Sequence, residues 1–173
     1  MPIPPRIARP STLDDVLLYR LSRLLGTAGS MVIRLCEGSF GITRREWRVI
    51  ALLARDEGLL SSELALRAQL DRARTSKAIT SLVGKKLLIR QTRPGDRRQA
   101  DLALTDAGRA LYEALFPLVL KINRELLSCL STAEVAAMDA TLDALQLQAE
   151  TMVARAELPK ADRRRGGLRQ RMG

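Results

Sequence analysis

The stretch that decides the reading of this chain is IRQTRPGDRRQADLALT, residues 89–105. Two short runs, one alternating apolar and polar side chains, flank a Pro94-Gly95 turn, the pattern of a β-hairpin. The tip of that hairpin continues as Asp96-Arg97-Arg98. Turn chemistry explains the proline, the glycine and the aspartate. It does not explain two adjacent arginines. They are either solvated charges on a surface turn or a tip built to meet a polyanion.

The surrounding charge favours the polyanion. Residues 67–98 hold ten basic side chains (Arg67, Arg72, Arg74, Lys77, Lys85, Lys86, Arg90, Arg93, Arg97 and Arg98) against Asp71 and Asp96 alone, a net +8. Residues 159–173 add six basic side chains and one acid, while the whole 173-residue chain carries +10. The rest of the chain is therefore slightly acidic. Concentrated positive charge on a near-neutral scaffold is the electrostatic footprint of a nucleic-acid binder. A solvated basic face is the plainer alternative.

Composition narrows the classes. The chain is 46% hydrophobic, which suits a globular protein, and only 3% aromatic. Its abundance of leucine and alanine favours helices. No run reaches the 18 or so apolar residues of a membrane span, and MPIPPRIARPS at residues 1–11 lacks an apolar signal core, so a cytoplasmic protein of a bacterium or archaeon is expected. The chain has no histidine and two cysteines, Cys36 and Cys129. That removes the commonest general base, any Ser-His-Asp triad and a recognisable zinc site. No phosphate-binding glycine loop is present. No catalytic residue, metal or cofactor is expected, and an enzyme is disfavoured. Both cysteines read as structural thiols.

Periodicity orders the chain. Residues 1–11 read as an extended or disordered arm. Apolar residues from Leu13 to Leu35 recur at helical spacing and predict a first helix over 12–37, broken by Gly38 and Gly41. Thr43 and Glu46 form a capping box for TRREWRVIALLAR. Ser61 is a candidate cap for SSELALRAQL, and Asp71 for RARTSKAITSLVGKK. In this last helix Thr75, Ala78, Ile79 and Leu82 share one face. Ala73, Ser76, Lys77, Thr80, Ser81 and Gly84 share the other, a surface of small or hydrogen-bonding groups suited to close approach. Arg72 and Arg74 lie in its first turn, where a helix also attracts phosphates. Thr105 caps a long helix containing Pro117, which should kink it. Ser131 and Glu134 form a capping box for a last helix.

Two short helices, a basic third helix and a hairpin follow the order of a winged helix-turn-helix. The third helix, 72–86, would enter the major groove, and the wing, 93–99, the minor groove, where concentrated negative potential attracts arginine. The fold class expected is mainly α with a small β-wing: a winged helix-turn-helix DNA-binding lobe over 42–104 and a helical dimerisation region from 12–37 and 105–158, followed by a disordered basic tail at 159–173. The apolar surface of the long helices exceeds what one small lobe covers. A homodimer on an inverted repeat of double-stranded DNA would cover it and present two recognition helices.

At this point the sequence resembles the MarR/SlyA family of transcription regulators over roughly residues 12–155. The resemblance rests on GIT at 41–43, ELA at 63–65, SKAITSLVGKKLLIR at 76–90 and GDRR…LALTDAGRAL at 95–111. It implies that Arg98 enters the minor groove with Asp96 orienting it, that Arg97 contacts phosphate, and that Ser76 and Lys77 face the major groove. It implies a repressor or activator, most often a repressor, answering to a small aromatic or carboxylate effector. Tyr19, Arg20, Met31, Arg34, Phe40, Trp47 and Arg48 are the candidates for that site. One departure stands out. Lys86 occupies the position where the family commonly has glycine, and a left-handed lysine is strained by about 1 kcal/mol, so the helix end is expected to differ. A nonspecific, architectural nucleic-acid-binding protein is the alternative function.

Overall fold

The computed structural model describes residues 5–93 and 96–157, and the side chains of these apart from residues 92–100. The chain forms two compact units that divide after Ser128. The first contains 3-10 turns at Arg6–Ala8 and Leu13–Asp15, then α1 (Leu17–Phe40), α2 (Arg44–Arg55), α3 (Ser61–Arg67), α4 (Arg72–Gly84), β1 (Leu88–Arg93), β2 (Asp96–Leu104) and α5 (Asp106–Leu127). The second contains α6 (Thr132–Arg155), which starts at the expected Ser131–Glu134 capping box. The fold is mainly α with a two-stranded antiparallel wing, as the sequence predicts. Among the described residues no helix is long and apolar enough to cross a membrane.

Local chemistry sets the boundaries, and in four places it moves them from the sequence-based expectation. The first helix begins at Leu17, not Thr12. The Asp15 carboxylate collects the amides of Ser11 and Thr12, each at 3.2 Å, and both their hydroxyls, each at 3.1 Å, which holds residues 13–15 in a 3-10 turn. The same helix runs through Gly38 and stops at Gly41, whose φ of 62° ends it in the left-handed conformation. The N-cap of α3 is Leu60 rather than Ser61: Glu63 reaches back to accept the Leu60 amide at 2.8 Å, and the serine becomes the first helical residue.

The recognition helix ends at Gly84, two residues short of the expected 86. Lys86 is indeed left-handed, at φ 58°. Its amide donates to the Val83 carbonyl at 3.0 Å and the Leu87 amide to the Leu82 carbonyl at 3.0 Å, the paired bonds of a Schellman cap. The Lys86 carbonyl then accepts the Thr105 hydroxyl at 2.7 Å. The strain persists because the residues around it leave this segment no other path.

One core joins the elements of the first unit. Ile42, Trp47, Val49, Ile50 and Leu53 from the α2 region meet Leu64 of α3, Ile79 and Leu82 of α4, Leu88, Leu102 and Leu104 of the hairpin, and Leu115 of α5. Each such aliphatic side chain contributes roughly 1.5–3 kcal/mol on burial. Leu59 adds a single antiparallel bridge to Leu102, so the hairpin is anchored to the end of the α2–α3 connection. The strands pair from Leu88 opposite Leu104 outward, with a bulge between Thr92 and Arg93 near the tip.

The corner where β2 turns into α5 is closely packed. The Thr105 side chain caps α5 by accepting the Gly108 amide at 3.0 Å, while the Thr105 amide donates to the Leu87 carbonyl at 3.2 Å. A Cβ on Gly108 would lie 2.0 Å from that same carbonyl oxygen. Backbone, not a movable side chain, occupies the space. Gly108→Ala should therefore lower unfolding stability by about 3 kcal/mol. Urea denaturation of the two proteins measures this; equal midpoints would mean that the corner is looser than described.

Candidate nucleic-acid interface and the adjoining cleft

The basic face is built on α4. Asp71 caps this helix by accepting the Arg74 amide at 2.8 Å. Thr75 returns its hydroxyl to the Asp71 carbonyl at 2.9 Å, and with Ala78, Ile79 and Leu82 it is buried against the core, as the helical spacing predicts. That burial turns Arg72, Ser76, Lys77 and Thr80 outward, where all four are exposed. The Arg90 guanidinium on β1 donates to the Thr80 hydroxyl at 3.4 Å, so the helix and the wing present one continuous surface.

Two residues expected on that surface are partly engaged elsewhere. Arg74 folds back, its Nε 3.2 Å from the Asp71 carboxylate. Ser81 is half-buried and donates to the carboxylate of Glu46, so it supports the helix from behind. The backbone of Asp96, Arg97 and Arg98 forms the start of β2, while their side chains lie outside the described residues.

Glu46 fixes the position of α4. It is 2% exposed. Its carboxylate accepts the Thr43 amide at 2.6 Å and the Lys85 ammonium at 3.0 Å through both oxygens, and Lys85 also donates to the Gly41 carbonyl at 2.8 Å. One side chain thus ties the start of α2 to the end of the recognition helix. Burial alone would raise the pKa of this carboxyl; the Ser81 hydroxyl, the Thr43 amide and Lys85 outweigh it and hold the group below the usual carboxylate range. A depressed folded pKa means stability that is present above the unfolded value, near 4.3, and lost as pH falls through the folded one. Glu46→Gln should therefore be less stable than wild type at pH 7, with the gap closing in acid. Thermal melts at neutral pH and at roughly pH 3 test this; a gap that stays constant would contradict it.

Behind the basic face lies a cleft of about 350 Å³ between α1 and α2, lined by Leu25, Gly29, Val32, Arg44, Trp47, Arg48, Ala51 and Leu52. Trp47 stacks on Tyr112 of α5 at a ring distance of 5.7 Å, and Tyr112 on Phe116 at 5.1 Å, so an aromatic row backs this wall. Gly29 makes room for Arg44: a Cβ there would lie 3.2 Å from the guanidinium. Arg48 is half-buried, and its Nη1 donates to the Ala68 carbonyl at 2.7 Å.

The seven effector candidates do not converge on one site. Trp47 and Arg48 line this cleft. Met31 and Arg34 line another, of about 750 Å³, with Glu37 and Ile122. Phe40 packs against the core, and Tyr19 and Arg20 are exposed near the start of α1. Sequence reasoning missed Arg44 and the apolar wall of Leu25, Val32 and Leu52. Cys36 is buried, and burial, then the nearby Glu37 charge, push its thiol pKa up, which suits a core residue. Among the described residues no group of histidine, cysteine and carboxylate side chains is placed to hold a metal ion.

Comparison with known proteins gives this geometry sequence and structural relatives. Residues 40–99 match the sequence profile of the MarR family. The chain is 30% identical over 94 residues to a transcriptional regulatory protein for the hcr operon of Thauera aromatica, covering 54% of this chain and 57% of that one. The chain spans about half the length of the curated relatives it matches. Its fold is that of MepR from S. aureus, solved as a DNA complex, at TM-score 0.72 and 24% identity over 77% of this chain and 98% of that one. It is also that of BpsR from Bordetella bronchiseptica, whose DNA binding is regulated by 6-hydroxynicotinic acid, at TM-score 0.62 and 24% identity over 73% of this chain and 98% of that one. The capped basic helix and the first strand of the wing lie within residues 40–99, the stretch that matches the MarR family.

Proposed function

We propose that the chain is a non-enzymatic, cytoplasmic, sequence-specific DNA-binding transcription regulator, acting as a homodimeric repressor released by a small aromatic or carboxylate effector. The observation that carries this reading is the outward face of α4, where Arg72, Ser76, Lys77 and Thr80 are exposed together and joined to the wing through Arg90. Side chains near the start of such a helix reach base edges in the major groove, and a wing arginine suits the minor groove. In this reading Ser76, Lys77 and Thr80 read bases, and Arg72, Arg74 and Arg97 hold phosphate. Arg98 enters the minor groove with Asp96 orienting it. The DNA complex of the structural relative MepR supports the assignment.

A second copy of the chain accounts for apolar surface that each unit leaves open. Leu18, Leu24 and Leu25 of α1 and Leu118 and Leu126 of α5 are exposed, as are Leu142, Leu147 and Val153 of α6. Exposed apolar side chains in such number on each unit suit an interface. A two-fold dimer would set two recognition helices on an inverted repeat with half-sites roughly 34–36 Å apart.

The α1–α2 cleft is the proposed effector site. Apolar walls accept a ring, and two arginines one helical turn apart suit a carboxylate. The regulation of BpsR by an aromatic acid supports this class of ligand.

Two measurements check the assignments. Arg98→Ala should weaken binding to a selected duplex by about 1–3 kcal/mol and leave the oligomeric state in sedimentation unchanged. Unaltered affinity would overturn the wing assignment. Trp47, the only tryptophan of the chain, lines the cleft and reports its occupancy by fluorescence. Arg44→Gln should weaken benzoate binding by about tenfold or more, the loss expected for a charge-assisted bond. Equal titration curves would place the ligand elsewhere.

A further inference from the structure

Arg48 has two neighbours of different kinds. On one side it lines the α1–α2 cleft. On the other it lines a second cleft of about 340 Å³, with Ile33, Glu37, Arg45 and Leu70, and donates to the Ala68 carbonyl at 2.7 Å. Ala68 is the C-cap of α3, and the residues that follow it form the turn into the recognition helix. Gln69 is left-handed at φ 50°, and its amide and that of Leu70 are taken by the Leu66 carbonyl at 3.1 Å and the Ala65 carbonyl at 3.0 Å. The Ala68 carbonyl bonds instead to a side chain from another helix, 20 residues away.

We propose that Arg48 is the positioning residue of the helix-turn-helix, and that an anionic effector in the α1–α2 cleft acts by drawing its guanidinium off the Ala68 carbonyl. The inference rests on reading that cleft as the effector site and names how the site is coupled to DNA. The competition favours the ligand. A carbonyl offers a neutral acceptor, whereas a carboxylate offers a charged, forked one, and bonds between two charged groups are shorter and stronger. The cleft is also poised for an anion. Among the described residues neither Arg44 nor Arg48 has an ion-pair partner, and burial, with Arg44 adding, lowers the pKa of Arg48. A carboxylate between them offsets the repulsion of the two guanidinium groups. With Arg48 withdrawn, the strained turn at Gln69 loses its outside support, and the start of α4, where Arg72 and Lys77 sit, loses its fixed place.

Amide hydrogen exchange across residues 68–72 of the full-length protein, with benzoate as the probe, tests this. Arg48→Gln without ligand should speed exchange there tenfold or more, and saturating benzoate should do the same to wild type. Unchanged exchange in a folded Arg48→Gln overturns the positioning role. Benzoate that quenches Trp47 yet leaves wild-type exchange unchanged overturns the coupling. Benzoate that fails to bind sinks the effector reading and the drawing-off step with it, while the Arg48→Gln comparison still decides the positioning role. Should circular dichroism show that Arg48→Gln does not fold, Arg48→Lys takes its place: it keeps the charge and one donor, and exchange between the two extremes is expected.

Discussion

The position of the recognition helix depends on one buried carboxylate. Glu46 is taken out of water at the start of α2, and a charge in that place is tolerated only when every lone pair is answered. The answers come from Thr43 beside it and from Ser81 and Lys85 on α4. Truncating Lys85 would leave an unpaired charge in the core, which is why the register between the two helices is hard to change. The pair is better understood as a device for geometry than as a source of net stability. A hydrophobic contact would hold α4 nearby, but the forked ammonium–carboxylate contact sets how far along and at what rotation.

The second constraint is at the other end of the wing. Leu82, Leu87 and Lys86 close α4 with a left-handed residue, and Thr105 and Gly108 pack α5 against that closure at backbone distance. The wing is thus pinned at its base by hydrogen bonds and one steric fit. The same architecture separates stability from recognition. Residues facing inward from α4 hold the fold, and those facing outward are left to contact a partner.

Much of this was legible in the sequence because it is local. The capping boxes at Thr43 and Ser131 and the Asp71 cap follow from residues within four positions of one another, and the inward face of α4 and the hairpin from patterns within one short stretch. The Leu104-Thr105…Gly108 motif was visible too, but its reason was not, since the carbonyl that excludes a Cβ belongs to Leu87. Glu46 was readable as a cap and unreadable as a tie to Lys85, which lies 39 residues away. Ser61 was misassigned because a glutamate reaching back caps a helix as well as a hydroxyl does. Arg44 was passed over in favour of Arg48, although a signal existed. Arginines in the first turn of a helix oppose the helix dipole, and two of them at 44 and 45, with Arg48 following, ask for a reason beyond helix formation.

Proximity links the two halves of the account. The cleft that suits an aromatic acid and the face that suits DNA share α2: Glu46 holds the far end of the recognition helix, and Arg48 holds the turn before its near end. A small change in α2 therefore reaches both ends of α4 without a long relay. The central claim is that this surface reads sequence, and selection from a random duplex library at near-physiological salt, followed by sequencing of the bound pool, tests it most directly. The account predicts an enriched inverted repeat with half-sites about one helical turn apart. A bound pool indistinguishable from the input, with binding that disappears as salt rises, would contradict it and leave a protein that only grips phosphate.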